Sequence, residues 1–577
     1  MYILGVNTGI HDASACLYRD FDLLAAVSLE RLTRVKNAGV TASKPMPDLA
    51  IDECLAIGGI ERGEIDVLAL ARGMFEYQDY VLTGARAVKQ AWRRLRGERK
   101  MRFVVNVLRW EGKTDAYEIF RSEYFLARHG FPRARLHFYD HHLAHALPAF
   151  FYSAFDEALI HTADGTGDSV SYSARIGRPG GVEFLFGGDE GLLKPLEANS
   201  LGTLYSAFTL ALGYVPNRHE GKLVGLSARG RPIAAERLMR RFQIEETGRV
   251  HAEFGGNQEI YDEATAICRD LSPADAAASV QEAVEVLMAR SVEILLERSG
   301  QRNLAVGGGV YANVKLNRHL LETTAAKSIF IFPAMGDEGL PIGGCLDYLY
   351  QQRGPEEWGR NRRPLESMLL GRDHRDDPAA LAAAFPTLRL SPVSDPDAVV
   401  EKVVDALAAG KAVGIHDGRM EFGPRALGAR SILASPARRD INDSLNARLS
   451  RSDFMPFAPV VLSEYAEEVF DIHPGNAHAA RFMTITCDVR PAWRERIPAV
   501  VHVDGSARPQ IVDPEPRGFY RRILEGWHAR SGVPVLVNTS FNVHEEPIID
   551  TPEQALTALA ADRVDMLLLG GRIFETR

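Results

Sequence analysis

Short apolar runs alternate with polar, glycine-containing turns in the first third of the chain. Residues 2–6 (YILGV) lead into the turn 7–12 (NTGIHD), and an apolar run resumes at 13–18. This pattern predicts a strand, a turn and a second strand. A similar phrase returns at 158–168, followed by a further run at 169–174. The repeat predicts two related halves, each with a loop whose backbone N–H groups can approach an anion where glycine leaves room.

In later segments the spacing of apolar residues changes, and the pattern predicts both helices and strands. Apolar residues recur at three- and four-residue spacing over 274–299, which predicts a long helix. Further predicted elements are strands at 329–332, 412–416, 534–538 and 564–569 and a helix at 397–409. We place the domain boundary in the polar, unpatterned stretch 351–364, which gives domains of residues 1–352 and 353–577. The length of 577 residues also favours more than one domain.

Composition and charge exclude several classes of protein. The chain is 46% hydrophobic and 25% charged, which is ordinary for a soluble globular protein. Its net charge of −9 provides no global basic field for a nucleic-acid backbone. The five cysteines are scattered without a CxxC pair, as is typical of a reducing compartment. The chain shows no leader-like start and no apolar run of roughly 18 residues, so we predict a cytoplasmic enzyme with no membrane contact.

The sharpest local signal is the segment 140–146 (DHHLAHA). On a helix, His141 and His145 lie one turn apart on one face, so both imidazoles can reach the same ion. Carboxylates complete such a ligand set, and Asp164 and Asp337, each beside a glycine, are the candidates. The alternative is a helix start capped by Asp140 with incidental histidines. Ligand type alone suits iron, manganese or zinc.

Three glycine loops, at 8–9, 164–167 and 307–309, together suggest a nucleotide held between two subdomains. Each loop alone is more often a simple turn, and the lack of a Walker sequence disfavours a P-loop fold. Glu220 and Lys222 could reach a ribose hydroxyl or a phosphate, although a solvated charge pair at a helix start is an equal alternative.

Arginines in the carboxy-terminal part lie among glycine, proline and alanine rather than in mixed-charge runs. Arg425, Arg430 and Arg508 are the examples, and such contexts suit bidentate recognition of phosphate or carboxylate oxygens. Structural ion pairing is the alternative. Asn538 and Ser540, which follow a buried-looking strand, could complete an anion site.

The ordered motifs of the whole chain resemble those of the NodU/CmcH family of O-carbamoyltransferases. They are HDASA (11–15), HHLAHA (141–146), ADGTGD (163–168), EGKLVGLSARG (220–230), GGGVYAN (307–313), GDEG (336–339), GRMEFGPRALGARSI (418–432), FMPFAP (454–459), HVDGSARPQ (502–510) and NTSFN (538–542). The resemblance implies an amino-terminal domain similar to the tRNA threonylcarbamoyltransferase, within the actin-like ATPase (ASKHA) superfamily. It implies a carboxy-terminal α/β domain similar to YrdC.

The resemblance also implies two half-reactions. The carboxy-terminal domain would convert carbamoyl phosphate and ATP, with Mg²⁺, into carbamoyl-adenylate, phosphate and pyrophosphate. The amino-terminal domain would then move the carbamoyl group to a hydroxyl of a small-molecule acceptor and release AMP. A free carbamate is a poor electrophile because it has no good leaving group. Carbamoyl-adenylate is a mixed anhydride, in which AMP serves as the leaving group.

Residue roles follow from the matched motifs. The metal ligands implied are His141, His145, Asp164 and Asp337, with ferrous iron as the expected ion. His11 is expected to act as general base with a pKa near neutrality, and Lys36 as a second catalytic residue beside the adenylate. The adenylate would contact Gly165, Thr166, Gly167, Glu220, Lys222, Gly307, Gly308 and Asn313. Carbamoyl phosphate and ATP would contact Arg425, Arg430, Arg451, Arg508, Asn538 and Ser540; Arg448 or Arg451 replaces a lysine that many family members carry between 446 and 454.

Two other functions stay open at this point. A tRNA-modifying threonylcarbamoyl enzyme would need a basic platform, which the charge of −9 disfavours. An actin-like ATPase regulatory module would leave the histidine pair and the arginines unexplained. The basic cluster 86–102 is expected to be a solvated helix face, with a flap over the acceptor or a polyanion contact as alternatives. The acceptor pocket is expected within 40–130 and 180–220, and the protein is expected to be a monomer or homodimer without nucleic acid.

Overall fold

Two five-stranded sheets with the same strand order build the amino-terminal part of the protein. The computed structural model describes residues 1–96, 100–450 and 456–577. The first sheet contains β1 (Tyr2–Asn7), β2 (Ser14–Arg19), β3 (Asp22–Ser28), β4 (Val67–Ala71) and β5 (Arg135–Tyr139). The second contains β6 (Ala158–Gly167), β7 (Val170–Arg178), β8 (Gly181–Phe186), β9 (Asn303–Gly307) and β10 (Ser328–Ile331).

The two sheets repeat one topology. Their strand orders are β3-β2-β1-β4-β5 and β8-β7-β6-β9-β10. In each, the first three strands form an antiparallel meander, and the remaining two add in parallel to the other side of the first strand. This duplicated order is that of the actin-like ATPase superfamily, so the predicted fold class is confirmed.

Helices cover the sheets and connect the parallel strands. Those of the amino-terminal part are α1 (Leu29–Thr33), α2 (Asp48–Gly58), α3 (Gly84–Leu95), α4 (Val104–Glu111), α5 (Ser122–Arg128), α6 (His141–Phe151), α7 (Leu201–Ala211), α8 (Glu220–Ser227), α9 (Ala235–Met239), α10 (Asn257–Asp270), α11 (Pro273–Ser299), α12 (Val314–Thr323), α13 (Leu340–Arg353) and α14 (Pro355–Arg360). The long helix predicted at 274–299 is α11. Among the described residues, no helix has the length and apolar character that a membrane crossing requires.

Helices α6 and α13 lie between the two sheets and pack directly on each other. Their backbones approach closely because α13 carries Gly343 and Gly344 at the contact. A Cβ atom at Gly343 would lie 1.8 Å from the carbonyl oxygen of Ala144, and one at Gly344 would lie 2.1 Å from the ring of Tyr139. Glycine is therefore required where the two halves meet.

The carboxy-terminal part is built on one mixed eight-stranded sheet. Its strands are β11 (Leu388–Leu390), β12 (Val413–His416), β13 (Arg430–Ala434), β14 (Ala458–Leu462), β15 (Gln510–Val512), β16 (Val535–Ser540), β17 (Met566–Leu569) and β18 (Arg572–Thr576), in the order β11-β18-β17-β12-β13-β16-β14-β15. The helices here are α15 (Pro378–Ala384), α16 (Pro396–Ala408), α17 (Asp440–Arg448), α18 (Ala466–Val469), α19 (Ala477–Ala480), α20 (Pro491–Arg494), α21 (Phe519–Ser531) and α22 (Pro552–Ala560). The α/β class predicted for this part is confirmed.

The chain runs from the amino-terminal part to the carboxy-terminal part in the residues that follow α13. Trp358, on α14, is buried against Phe150 and Phe151 and donates its indole N–H to the carbonyl oxygen of Leu346. Helix α14 therefore packs with the amino-terminal core, although it lies beyond residue 352. The first strand of the carboxy-terminal part, Leu369–Asp373, pairs with Arg419–Glu421. The domain boundary at 352/353 stays a prediction.

Candidate active site

Two histidines at the start of α6 face one point in space. Asp140 caps the helix, and its carboxylate accepts a hydrogen bond from the backbone N–H of Leu143. His141 and His145 then lie one turn apart, and their Nε2 atoms are 3.2 Å from each other. The predicted helix and the predicted common face of His141 and His145 are both confirmed. The Asp140 cap, which was part of the alternative, is present as well.

Two carboxylates from distant turns complete the group. Asp164 lies near the end of β6, and its Oδ2 is 3.1 Å from Nε2 of His145 and 3.4 Å from Nε2 of His141. Asp337 lies in the turn before α13, and its Oδ1 is 3.7 Å from both of those nitrogens. One ligand atom from each of the four residues lies within 4.8 Å of the others. These four residues are the metal ligands that the matched motifs imply.

The donor atoms fit a divalent transition metal ion. Two imidazole nitrogens and two carboxylates suit iron, manganese or zinc. Burial lowers the pKa of His141, but Asp337 and Asp164 outweigh it and raise the pKa to about 10. A cation held by two neutral imidazoles and two carboxylates would offset the negative charge that the two acids bring to this buried point.

Close backbone approach holds this group in place. A Cβ atom at Gly167 would lie 2.0 Å from Cδ2 of His141, and one at Gly307 would lie 2.7 Å from the carbonyl oxygen of His145. Gly308 has φ +99°, and a Cβ atom there would lie 2.3 Å from the carbonyl oxygen of Ala163. Two of the three predicted glycine loops thus border the four ligands. Gly165 donates its N–H to Asp164, and Thr166 is exposed next to it.

His142 has a supporting position. It is fully buried between the hydroxyl of Thr162 and the carbonyl oxygen of Val170, at 2.7 and 2.9 Å from its two ring nitrogens. Burial lowers the pKa of His142, so the ring is neutral. Its hydrogen bonds tie the start of α6 to β6 and β7.

His11 lies at the edge of the same group, in the turn between β1 and β2. Its Nδ1 is 3.0 Å from Oδ2 of Asp12 and 3.9 Å from Oδ2 of Asp337. The hydrogen bond to Asp12 raises the pKa of His11 to about 9, against an opposing effect of burial. The carboxylates of Asp12, Asp337 and Asp164 thus raise the pKa of His11 above the near-neutral value expected from sequence, and its role as a general base stays a prediction.

The charged residues predicted to contact the adenylate, Lys36, Glu220 and Lys222, all lie in the amino-terminal part. The carbonyl oxygen of Lys36 accepts a hydrogen bond from Arg218 at 3.0 Å. Glu220 accepts hydrogen bonds from the hydroxyl of Ser206 and the N–H of Asn217. Nζ of Lys222 is 3.4 Å from Nε2 of His544 in the carboxy-terminal part. Of the three, Lys222 thus contacts the carboxy-terminal part directly, and the adenylate contacts predicted for all three stay predictions.

Asn313 has a structural task. Its side chain accepts a hydrogen bond from the N–H of Leu316 and so caps α12, and it exchanges two further hydrogen bonds with Gln281. The predicted adenylate contact by Asn313 stays a prediction.

Arg430 differs from the other arginines of the carboxy-terminal part. It is fully buried, and its guanidinium donates to the carbonyl oxygens of Gly418, Ala429 and Asp550 at 3.0 to 3.2 Å. These donors are used within the fold, so the structural alternative describes Arg430 better than phosphate binding.

Arg425 and Asn538 keep polar atoms available. Nε of Arg425 has no hydrogen-bond partner within the described part of the chain. Desolvation lowers the pKa of Arg425 to about 10, and the Glu338 carboxylate opposes this shift. The amide of Asn538 donates to Ala426 and Gln510, while its Oδ1 accepts from no residue in the ranges described.

The remaining predicted residues of this part are Arg508, Ser540 and Arg451. Arg508 follows the short strand Ser506–Ala507, and Ser540 ends β16, where it pairs with Ser431 of β13. Arg451 lies outside the described residues. Arg448, the alternative to Arg451, binds Asp565 at 2.9 and 3.1 Å.

A second group of ligand-type side chains was not predicted. His219, His544 and Glu545 offer atoms within 4.8 Å of one another. Arg218 lies 3.5 Å from Glu545, and Lys222 lies beside His544. Positively charged side chains of the protein therefore already neighbour this group. The group works as a hydrogen-bonded junction between the two parts. No sequence motif could reveal it, because its members belong to different domains.

Comparison with known proteins identifies the family. The model described as carbamoyltransferase N-terminus matches residues 2–346, and that described as carbamoyltransferase C-terminus matches residues 404–576. The chain belongs to the carbamoyltransferase family. The resemblance read from the motifs is thereby confirmed.

Relatives of this carbamoyltransferase cover nearly its whole length. Nodulation protein NolNO of Sinorhizobium fredii is 32% identical, over 99% of this chain and 80% of that one. An uncharacterized protein of Synechocystis is 31% identical, over 98% and 95% of the two chains. Among solved structures, component A of the (R)-2-hydroxyglutaryl-CoA dehydratase of Acidaminococcus fermentans aligns with a TM-score of 0.33 at 13% identity, over 62% of this chain and 99% of that one. That likeness is too low to add to the topology described above.

Proposed function

We propose that this carbamoyltransferase is an ATP-dependent O-carbamoyltransferase that works through carbamoyl-adenylate. The observation that carries the proposal is the four-residue group of His141, His145, Asp164 and Asp337, set between two glycine loops in a chain that matches both carbamoyltransferase family models. Family membership supports carbamoyl transfer, and the donor set supports a metal-assisted transfer site.

The first half-reaction belongs to the carboxy-terminal domain. Water cleaves carbamoyl phosphate to carbamate and inorganic phosphate. A carbamate oxygen then attacks the α-phosphorus of ATP, the bond to the β-phosphate oxygen breaks, and pyrophosphate leaves with its Mg²⁺. Arg425, Arg508, Asn538 and Ser540 would hold the phosphate oxygens, and Arg451 joins them by motif. The orphaned Nε of Arg425 supports this assignment, since a buried guanidinium N–H needs an acceptor.

The second half-reaction belongs to the amino-terminal domain. The acceptor hydroxyl oxygen attacks the carbamoyl carbon, the bond to the adenylate oxygen breaks, and AMP leaves. The hydroxyl proton passes to a base at the site, for which His11 is positioned once the charge of its neighbouring carboxylates is neutralised.

A divalent metal ion, expected to be Fe²⁺, would be held by His141, His145, Asp164 and Asp337. When bound, such an ion supplies Lewis-acid stabilisation of negative charge on oxygen. Gly165, Thr166, Gly167, Gly307 and Gly308 would surround the adenylate phosphate with backbone N–H groups. Lys36, Glu220, Lys222 and Asn313 would contact the rest of the nucleotide, and Lys36 and Lys222 bring the positive charge that an anionic intermediate needs.

A two-part assay tests the function. Purified protein is incubated with ATP and [¹⁴C]carbamoyl phosphate, and pyrophosphate, AMP and labelled carbamate esters of a panel of hydroxylated small molecules are measured. We expect pyrophosphate only when both substrates are present, and label transfer only with an acceptor. ATP consumption that does not depend on carbamoyl phosphate would contradict the proposal and favour the regulatory ATPase alternative.

A further inference from the structure

Helix α3 (Gly84–Leu95) belongs to an excursion within the connection between β4 and β5. A short hairpin carries it: Met74–Glu76 pairs antiparallel with Met101–Phe103, and α3 lies between these two strands in the chain. The helix packs mainly on the turn Tyr77–Asp79, which follows the first strand of the hairpin. Most of its described residues are therefore exposed to solvent.

One side of α3 is fixed to the protein by polar contacts. Gln90 is buried, and its side-chain amide donates to the carbonyl oxygens of Tyr77 and Tyr80. Arg86, one turn earlier, donates to the carbonyl oxygen of Trp110 at 2.5 Å. The side that carries Gln90 is therefore the inner side of the helix.

The opposite side of α3 is apolar. Val88 and Trp92 each lie two residues from Gln90, which is about 200° around a helix of 3.6 residues per turn. They are 71% and 53% exposed, and the exposed Ala85 lies on the same side. Single exposed apolar residues are ordinary, but these three are aligned and point away from the protein. We call Ala85, Val88 and Trp92 the apolar stripe.

A basic flank runs beside the apolar stripe. Lys89, Arg93 and Arg96 follow one another at helical spacing, and the guanidinium carbon of Arg96 lies 3.5 Å from the ring centroid of Trp92. Residues 84–102 contain eight lysines and arginines and one acidic residue, whereas the whole chain has a net charge of −9. The positive charge of this segment is therefore concentrated against the balance of the chain.

An apolar stripe beside a basic flank matches the surface of an anionic lipid bilayer. A helix of this kind lies in the plane of the membrane, with its apolar side in the headgroup and acyl boundary and its basic side chains at the phosphates. Tryptophan is favoured at this depth, since one part of its ring system is apolar and its N–H is polar. Lysine and arginine bury their aliphatic stems and keep their charges among the headgroups.

Other partners fit less well. A second copy related by a two-fold axis would place the basic flank against itself, and like charges repel. A nucleic-acid backbone would bind Lys89 and Arg96 but would leave Val88 in water. Neither partner uses both halves of this surface.

We propose that α3 is an interfacial helix that binds the protein to anionic lipid membranes. The inference does not depend on the proposed carbamoyl transfer. The expectation of no membrane contact came from the lack of an apolar run long enough to cross a bilayer, and a helix that lies on the surface needs no such run. The proposal also replaces the solvated helix face expected for 86–102.

Vesicle sedimentation with the full-length protein tests the proposal. The vesicles are phosphatidylcholine alone, or phosphatidylcholine with about one third phosphatidylglycerol, each at low and at high sodium chloride. One variant combines Val88→Ser with Trp92→Ser, and a second combines Lys89→Gln with Arg96→Gln. The matched control combines Ile233→Ser with Arg240→Gln, which changes one exposed apolar and one exposed basic residue outside α3. Melting temperatures and binding of a single-stranded RNA oligonucleotide are measured for every protein.

We expect the wild type and the control to sediment with the anionic vesicles, more weakly at high salt, and to stay in solution with phosphatidylcholine alone. Each α3 variant should bind the anionic vesicles about tenfold more weakly or worse at an unchanged melting temperature, since one basic residue strengthens such binding about fivefold. Failure of the wild type to sediment, equal binding to neutral vesicles, or undiminished binding by either α3 variant would overturn the proposal. Binding of RNA without binding of vesicles would overturn it in favour of a nucleic-acid surface.

Discussion

The guanidinium of Arg31, on the short helix α1, donates a hydrogen bond of 2.7 Å to the carbonyl oxygen of Gly423 in the carboxy-terminal domain. Three residues along, Arg34 donates to the carbonyl oxygens of Pro547 and Ile548 at 2.7 and 2.6 Å. The segment that leads to Lys36 is therefore fixed to two loops of the other domain. One of these loops, 422–429, also carries Arg425. The hydrogen bonds of Arg31 and Arg34, called the clasp below, therefore join the regions proposed for the two half-reactions.

We predict that Arg31→Ala combined with Arg34→Ala uncouples the half-reactions. Pyrophosphate release should continue, while carbamoylation of an acceptor falls about tenfold or more, because a small misplacement of reacting groups is costly and carbamoyl-adenylate that escapes is hydrolysed. The ratio of carbamate ester to pyrophosphate measures the coupling. Arg237→Ala, which removes only a surface ion pair with Glu263, is the matched control. An unchanged ratio in the double variant would mean that the clasp has no role in transfer.

We predict that His141→Ala abolishes transfer to the acceptor and leaves pyrophosphate formation largely intact. The loss should be about 100-fold or more, since a direct ligand matters at least as much as the groups that support it. Metal content by plasma mass spectrometry should fall in parallel, and His319→Ala, on α12, should retain both metal and activity. Transfer at the wild-type rate by metal-stripped His141→Ala would show that the metal assignment is wrong.

Two arginines of the carboxy-terminal domain should respond differently to replacement by alanine. Arg508→Ala should lose pyrophosphate release with little change in melting temperature. Arg430→Ala should unfold more easily, by about 2–3 kcal/mol or more, because it leaves buried carbonyl oxygens without their charged donor. Pyrophosphate assays and thermal melts on both proteins check this. A stable Arg430→Ala variant that lacks only adenylate formation would return Arg430 to the phosphate site.

Stability should depend on His161 at acidic pH. This fully buried residue of β6 lies 2.6 Å from the hydroxyl of Tyr311, and burial lowers its pKa from 6.5 to about 4. The folded state favours the neutral ring, so its contribution is complete above pH 6.5 and is lost as the pH falls toward 4. The loss amounts to about 3 kcal/mol. Denaturant unfolding at several pH values should show a shallower decline for His161→Phe; identical declines would exclude His161 as the cause.

Local patterns predicted the elements and much of the candidate site. The spacing of His141 and His145 determines a helical face by itself, and the glycine beside Asp164 and Asp337 marked the turns that bring these acids to it. The sequence around Arg430 could not decide between a phosphate site and a structural role, because the same small neighbours that open a phosphate site also allow a buried arginine to reach backbone carbonyls. The shifted pKa of His11 and the group of His219, His544 and Glu545 arise from contacts between distant segments, which no local pattern encodes.

Gly343 and Gly344 give the candidate site a sensitivity to distance that its own residues do not reveal. The histidine pair follows the last strand of the first repeat, and Asp337 follows the last strand of the second. The gap between the ligands is therefore set by how far apart α6 and α13 stand. A single methyl group at either glycine would act as a spacer between the two repeats, and it would open the ligand sphere without touching any ligand.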